Sequence, residues 1–273
     1  MLSGTKVQAD AEITLTADTP WVVPPNQPEA VQRALADIER DWYKVLGHRP
    51  ILWTEQPESW SGPVLRFGIS GKPGAPETFS LQIENNTLSA TGVDIRGAIY
   101  AAYAVSEEIL GVDPWYFWTD HEPSPRKQIE VPAGLKKNFG PPTFRYRGWF
   151  INDEDLLNGF SPDPLRRNPY SLEMLDRICE TILRLRGNMI VPGTFNFPDE
   201  SCWELASRRG LVLNMHHTAF GHTLEKEFAD PPVDSRPRAF WCWLNGRMSK
   251  EHIKAGDKPL KSGLLGPVRI LSE

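Results

Sequence analysis

Between Phe144 and Met215 the chain alternates strand, helix, strand, helix and strand, and this alternation constrains the fold more than any other feature. Two strands joined by one crossover helix run parallel, so the segment reads as successive βαβ units. Phe144–Ile151 (FRYRGWFI) is rich in β-formers and reads as the first strand. After the loop NDEDLLNGFSPDPLRRNP, a helix starts at Ser171; Leu172, Leu175, Ile178, Ile182 and Leu185 recur on one face, and Gly187 closes it. Asn188–Pro192 (NMIVP) is a short buried strand, and Asp199 or Ser201 opens a helix that runs through Trp203 and Leu205 to Gly210. Leu211–Met215 is the third strand, followed at once by His216 and His217.

The residues before this alternation read as a small α+β domain. Glu12 begins a half-buried strand, and Val31, Leu35, Ile38, Trp42 and Val45 follow at helical spacing, ended by Gly47 and Pro50. Short strands are expected at Ile51–Thr54 and Val64–Ile69. Phe79, Leu81 and Ile83 form the inward side of a hairpin that turns at Asn85-Asn86, because Asn tolerates the positive φ that such a turn requires. Asp94 caps a second helix that runs through Ile99, Ala102, Val105 and Ile109 to Gly111. The fold class is therefore α/β, a small α+β accessory domain followed by an incomplete (β/α)8 barrel. Its expected divisions are residues 10–135, 141–228 and an irregular tail at 231–273.

Composition narrows the function. The 30 Lys and Arg against 35 Asp and Glu give a net charge of −5, which argues against a nucleic-acid partner. No apolar run reaches the ~18–20 residues of a membrane-spanning helix, so no membrane partner is expected. MLSGTKVQADAE lacks the apolar core of a secretory signal. Cys179, Cys202 and Cys242 are too scattered for a disulfide framework or a zinc motif and read as reduced, buried thiols. Ten Trp residues suit either a packed core or sugar-stacking platforms.

In a (β/α)8 barrel, chemistry sits on loops that follow strand C-termini. Asn152, Asp153 and Glu154 follow the first strand, Asn196 follows the second, and His216 and His217 follow the third. Carboxylates and imidazoles there can bind sugar hydroxyls and orient water; helix capping or an ion pair to Arg166 or Arg167 is the alternative for Asp153 and Glu154, and a buried hydrogen-bonded pair is the alternative for His216 and His217. His216 and His217 are adjacent on an extended segment and point to opposite faces, so with His222 they make no metal site, and none is expected.

Three stretches sharpen the reading. YRGWFINDED, LRLRGNMIVPGTFNFPDES and ELASRRGLVLNMHHT resemble, in order and spacing, the opening of the catalytic domain of glycoside hydrolase family 115, the xylan α-1,2-glucuronidases. The matching residues are Tyr146 to Glu154, Leu185 to Asn188, Gly210 to Val212, and His216-His217. ENNTLSATGVDIRGAIYAAYAVSEEILGV is similar to the hairpin and helix of the accessory domain before the barrel in α-glucuronidases and β-hexosaminidases, with VDPWYFWTDHEPSP as a connection toward the barrel's mouth. The chain departs from the family where Thr218-Ala219-Phe220 replaces Glu-Pro-Met and where Gly193–Phe197 lacks the usual Trp. The resemblance implies a polysaccharide or oligosaccharide substrate, no cofactor, and export in relatives. It makes Asp153 the candidate for water activation, with Asn152, Glu154, Asn196, His216 and His217 binding substrate. The family's general acid lies on a later strand, so the chain reads as truncated and of doubtful activity.

From Pro231 the character changes. Arg236-Pro237, Phe240 to Trp243, Asn245-Gly246 and Ser249 to Glu251 resemble the start of glycoside hydrolase family 106, the α-L-rhamnosidases. A (β/α)8 barrel takes about 250 residues; three strands leave an open sheet edge, so poor solubility and self-association through that edge are expected. A carbohydrate-binding accessory fragment, or a structural partner whose polar loops only cap helices, are the alternatives.

Overall fold

The structure, a computed structural model, describes residues 12–151, 157, 159, 170–192 and 201–214. It is a mixed α/β arrangement in which two segments share one apolar core. The first segment holds β1 (Glu12–Thr16), β2 (Trp21–Val22), α1 (Glu29–Leu46), β3 (Leu52–Trp53), β4 (Val64–Ile69), β5 (Phe79–Glu84), β6 (Thr87–Gly92) and α2 (Ile95–Ala104). A π-helical turn, Val105–Leu110, continues α2, and β7 (Gln128–Pro132) and β8 (Lys136–Phe139) complete the segment.

Six of these strands form a sheet in the order β3-β2-β4-β6-β5-β8. Side-chain alternation buries Leu65, Phe67, Phe79, Leu81, Ile83, Leu88 and Ala90 on one face, against α1 and α2. The hairpin turns as its sequence requires, with Asn85 and Asn86 at φ 49° and 61°. Asp94 caps α2 by accepting from the Gly97 amide at 2.7 Å. Trp21 and Trp42 are fully buried and meet edge to face at 5.4 Å, so part of the tryptophan excess is core. β1 leaves this sheet and pairs with β7, antiparallel.

The second segment holds β9 (Gly148–Phe150), α3 (Leu172–Arg184), β10 (Met189–Val191), α4 (Ser201–Arg208) and β11 (Val212–Leu213). As the alternation predicts, the three strands are parallel, in the order β9-β10-β11. Ser171 caps α3, its hydroxyl accepting from the Met174 amide at 3.1 Å, and Leu175, Ile178 and Ile182 are buried as spaced. Cys179 and Cys202 are buried thiols; Cys242 lies outside the described residues. Among the described residues, β9 and β11 are the outer strands of the sheet, and no helix there is long and apolar enough to cross a membrane.

Two expectations need correction. The first strand is Gly148–Phe150 rather than Phe144–Ile151: Phe144 is 71% exposed, and backbone pairing reaches back only to the Arg147 carbonyl, which accepts from the Met189 amide at 3.0 Å. The Arg145 carbonyl accepts from Asn188 Nδ2 at 2.7 Å, and the Arg147 amide donates to Asn188 Oδ1 at 2.8 Å. The helix α3 runs to Arg184, and the left-handed residue that closes it is Arg186 rather than Gly187. Arg186 takes the left-handed conformation at φ 61° and lays its guanidinium over Phe139 and Phe79, 4.8 and 5.4 Å from their ring centres. Gly187 is needed for space, because a Cβ there would lie 2.6 Å from Ile182 Cγ2.

Gly148 is tighter still. A Cβ at this position would stand 1.8 Å from the Met189 carbonyl oxygen, a backbone atom of the neighbouring strand. Gly148→Ala is therefore expected to part β9 from β10 at a cost of about 2–3 kcal/mol, the upper range of overpacking. A urea denaturation midpoint unmoved by the substitution would show that the close approach is relieved elsewhere.

Candidate functional site

The parallel register brings three chain exits to one end of the β9-β10-β11 sheet. Pairing continues one residue past each outer strand: the Ile151 amide donates to the Val191 carbonyl and the Asn214 amide to the Ile190 carbonyl, both at 3.0 Å. The exit of the middle strand is tied by Tyr170, fully buried, whose hydroxyl donates to the Pro192 carbonyl. Adjacent strands stand about 4.8 Å apart, so the first and third exits are separated by about 10 Å. The sequence leads directly from these exits to the candidate residues. Asn152, Asp153, Glu154, Asn196, His216 and His217 themselves lie outside the described residues.

At the other end of the strands, a buried carboxylate holds them to the first segment. Glu77 lies before β5 with φ 63°, a left-handed conformation that costs a non-glycine residue on the order of 1 kcal/mol. Its side chain receives Arg96 and Asn188 on one oxygen, each at 2.7 Å, and Arg147 on the other. Arg147 also donates to the Arg186 and Phe144 carbonyls, and Asn188 accepts the Arg147 amide. Burial works against the charge of Glu77, but these donors outweigh it and hold its carboxyl below the ordinary range. Glu77 was not singled out by the sequence, because its partners lie 19 to 111 residues away.

A second cluster joins α1 to α3. Arg184, almost wholly buried, donates to Glu180 at 2.8 Å, to Asp41 at 2.5 Å and to Ser106 at 3.1 Å. The Ser106 hydroxyl, in the π-helical turn, donates to Asp41 at 2.6 Å. Arg40 and Arg177 also reach Glu180, while Arg209 joins Asp37 to Asp176 and the Tyr103 hydroxyl donates to Asp37 at 2.7 Å. Burial opposes the charge of Glu180, yet Arg184, Arg40 and Arg177 together hold its carboxyl down to about 2. Perturbed carboxylates often mark catalytic sites. Here each carboxylate is engaged by arginine, and Asp37, Asp41 and Glu180 are buried between helices, so the cluster reads as a structural tie. Nor does Cys179 offer a nucleophile, since burial pushes its thiol up.

The sign of the pH dependence follows from this tie. Glu180 ionises near 4.5 when unfolded and near 2 when folded, so it stabilises above pH 4.5 and that contribution, on the order of 3 kcal/mol, is lost as pH falls toward 2. Glu77 shifts the same way, whereas burial and the charge of Glu180 raise Asp37, which offsets part of the loss. The denaturation midpoint is thus expected to fall between about pH 5 and pH 3, and a midpoint that rises over that interval would contradict the assignment.

Aromatic residues connect the cluster to β9. Trp115 stacks on Trp149 with ring centres 5.5 Å apart, and Trp118 Nε1 donates to Thr181 of α3 at 2.7 Å. The segment after the π-helical turn therefore reaches β9 and α3, and Trp115 is 41% exposed. Among the described residues, no group of His, Cys, Asp and Glu could hold a metal ion.

Comparison with known proteins agrees with the resemblance in the sequence. Residues 139–254 match the model of glycosyl hydrolase family 115. The match runs through Arg236-Pro237 and Asn245-Gly246; the likeness of that tail to the rhamnosidases rests on sequence alone, since it lies outside the described residues. A solved family 115 4-O-methyl-α-glucuronidase with specificity for decorated arabinogalactans is similar over 75% of this chain and 30% of its own, with a TM-score of 0.63 and 24% identity. A Streptomyces plicatus β-hexosaminidase in complex with GlcNAc gives a TM-score of 0.53 at 14% identity over 76% of this chain and 42% of its own. The family 20 β-N-acetylhexosaminidase of Streptomyces coelicolor A3(2) gives 0.52 at 10% identity, over 76% and 43%. Identities this low speak to fold alone, and the chain spans less than half the length of each of these proteins. No curated protein sequence matches the chain.

Proposed function

We propose that the chain carries the accessory domain and the opening β/α units of a (β/α)8 glycoside hydrolase of the α-glucuronidase type, directed at uronate side chains of a plant-wall xylan. What supports this most is the family 115 match over residues 139–254, which spans the three parallel strands whose adjacent ends lead into Asn152–Glu154 and His216-His217. In this reading Asn152, Glu154, Asn196, His216 and His217 bind the sugar, and Asp153 takes the proton of the attacking water. The reaction uses protein carboxylates and needs no cofactor. A carbohydrate-binding accessory role is the second reading, favoured by the exposed Trp115 ring stacked on Trp149 of β9, an aromatic surface of the kind sugars pack on.

Release of glucuronic acid or its 4-O-methyl ether from glucuronoxylan oligosaccharides, followed chromatographically with the full chain, separates the two. Release supports the enzyme. Uronate binding without release supports the accessory role, and failure to bind any uronate-bearing oligosaccharide at about 10 mM would remove both.

A further inference from the structure

A second carbohydrate contact stands away from the β9-β10-β11 sheet, on the first segment. A cleft of about 440 Å³ lies between β1 with its following turn and the loop before β4. Its walls include Trp60, Gly62 and Asn86 on one side and Glu12, Thr16 and Asp18 on the other. These residues stand at the end of the six-stranded sheet from which β4 and β6 start, whereas Glu77 and Asp94 stand at the opposite end.

Trp60 is 39% exposed, yet its ring is held in one orientation. Trp53 meets it edge to face at 5.3 Å, its indole nitrogen donates to the Pro63 carbonyl at 3.4 Å, and Gly62 packs so closely that a Cβ would lie 3.0 Å from Cζ2. Across the cleft, Glu12 and Asp18 are exposed carboxylates with no ion-pair partner among the described residues. The Asn86 side-chain nitrogen is committed to the Ser61 carbonyl at 3.2 Å, which turns its oxygen toward acceptor duty. The cleft thus combines one fixed, partly exposed aromatic ring with several acceptors.

The geometry points to a binding cleft for a neutral pyranose unit of a polysaccharide main chain. The C–H face of a pyranose packs on an indole ring, and its hydroxyls donate to carboxylates, which form the stronger class of hydrogen bond. A few placed polar groups in a concave, partly apolar site are the usual form of a small-ligand pocket. The two carboxylates give the cleft negative charge, so it rejects a uronate and selects the uncharged sugars between side chains. The choice of a polysaccharide main chain rests on the reading of the strand ends, whereas binding of a neutral pyranose in the cleft is tested separately from it.

The test is calorimetric titration of the full chain with xylohexaose and cellohexaose, with glucuronic acid as the charged control. At least one neutral hexasaccharide is expected to bind with a Kd on the order of 1 mM. Trp60→Ala is expected to weaken that binding about tenfold or more, and Asp18→Asn about threefold, a few tenths to one aromatic contact's worth of affinity. Both residues are exposed, so the thermal midpoint should hold; if Trp60→Ala lowers it, Asp18→Asn decides. No heat with either hexasaccharide at about 10 mM, glucuronic acid binding that Trp60→Ala weakens as much as it weakens the hexasaccharide, or hexasaccharide binding unchanged in both variants would overturn the assignment. Uronic acid release lost in the catalytic assay while hexasaccharide binding persists would count against the strand-end reading and leave the cleft standing.

Discussion

Arg184→Ala is expected to destabilise the chain by about 3–5 kcal/mol, the cost of stranding buried charge. Arg184 is 5% exposed and faces Asp41, which is fully buried, and Glu180, which is nearly so. Alanine removes three donors at once. Glu180 keeps Arg40 and Arg177, but Asp41 is left with the Ser106 hydroxyl and Arg40 at 3.8 Å. Such a carboxylate must either protonate or admit water between α1 and α3. Because the lost bonds cross between the two segments, unfolding monitored by circular dichroism should change from one step to two, with the β9-β10-β11 units melting first.

A companion variant separates charge from packing. Replacing Arg184 by Met and Asp41 by Leu together removes the stranded charge along with its partner, and it should recover much of the stability lost in Arg184→Ala. Arg184→Lys should not, since an ammonium cannot reach Glu180, Asp41 and Ser106 in the fork geometry of a guanidinium. A single-step melt for Arg184→Ala with a midpoint near wild type would mean that the cluster contributes little and that the shared apolar core alone joins the segments.

The elements that could be read from the sequence are those whose cause lies within a few residues. Val31 to Val45 at steps of four and three, Asn85-Asn86 between two alternating runs, and Asp94 and Ser171 at helix starts each act over one turn, and each stands where it was expected. Parallel pairing of β9, β10 and β11 was legible because a single helix between strands leaves no other connection. The π-helical turn at Val105–Leu110 was not legible. Its residues are ordinary helix formers, and it coincides with the turn that carries Ser106 to Asp41, 65 residues away. The same holds for Glu77, strained in the left-handed region and held by Arg96, Arg147 and Asn188. Long-range ion pairs leave no periodic trace, so the tie between segments was invisible where the segments themselves were plain. For the candidate site, the sequence located the ends of three parallel strands, and the Ile151 and Asn214 amides each pair with the middle one; the candidate residues that follow lie outside the described residues.

If Asp153 takes the proton from water, Asp153→Asn should lower kcat by about 10²–10⁴-fold, the usual worth of a general base. Asparagine keeps the size of the side chain and its capacity to bond sugar hydroxyls, but it cannot accept a proton at neutral pH. KM should therefore stay within a small factor, because ground-state binding is retained. Glu154→Gln is expected to behave differently, with KM raised and kcat less affected, since its proposed work is binding. The competing reading, in which Asp153 caps a helix or pairs with Arg166 or Arg167, predicts another split: a lower thermal midpoint and an unchanged kcat in folded protein. Steady-state kinetics on glucuronoxylan oligosaccharides, read beside a thermal melt of each variant, distinguish these outcomes. A kcat for Asp153→Asn within threefold or so of wild type would hand the water-activating role to another carboxylate, with Glu154 the first to examine.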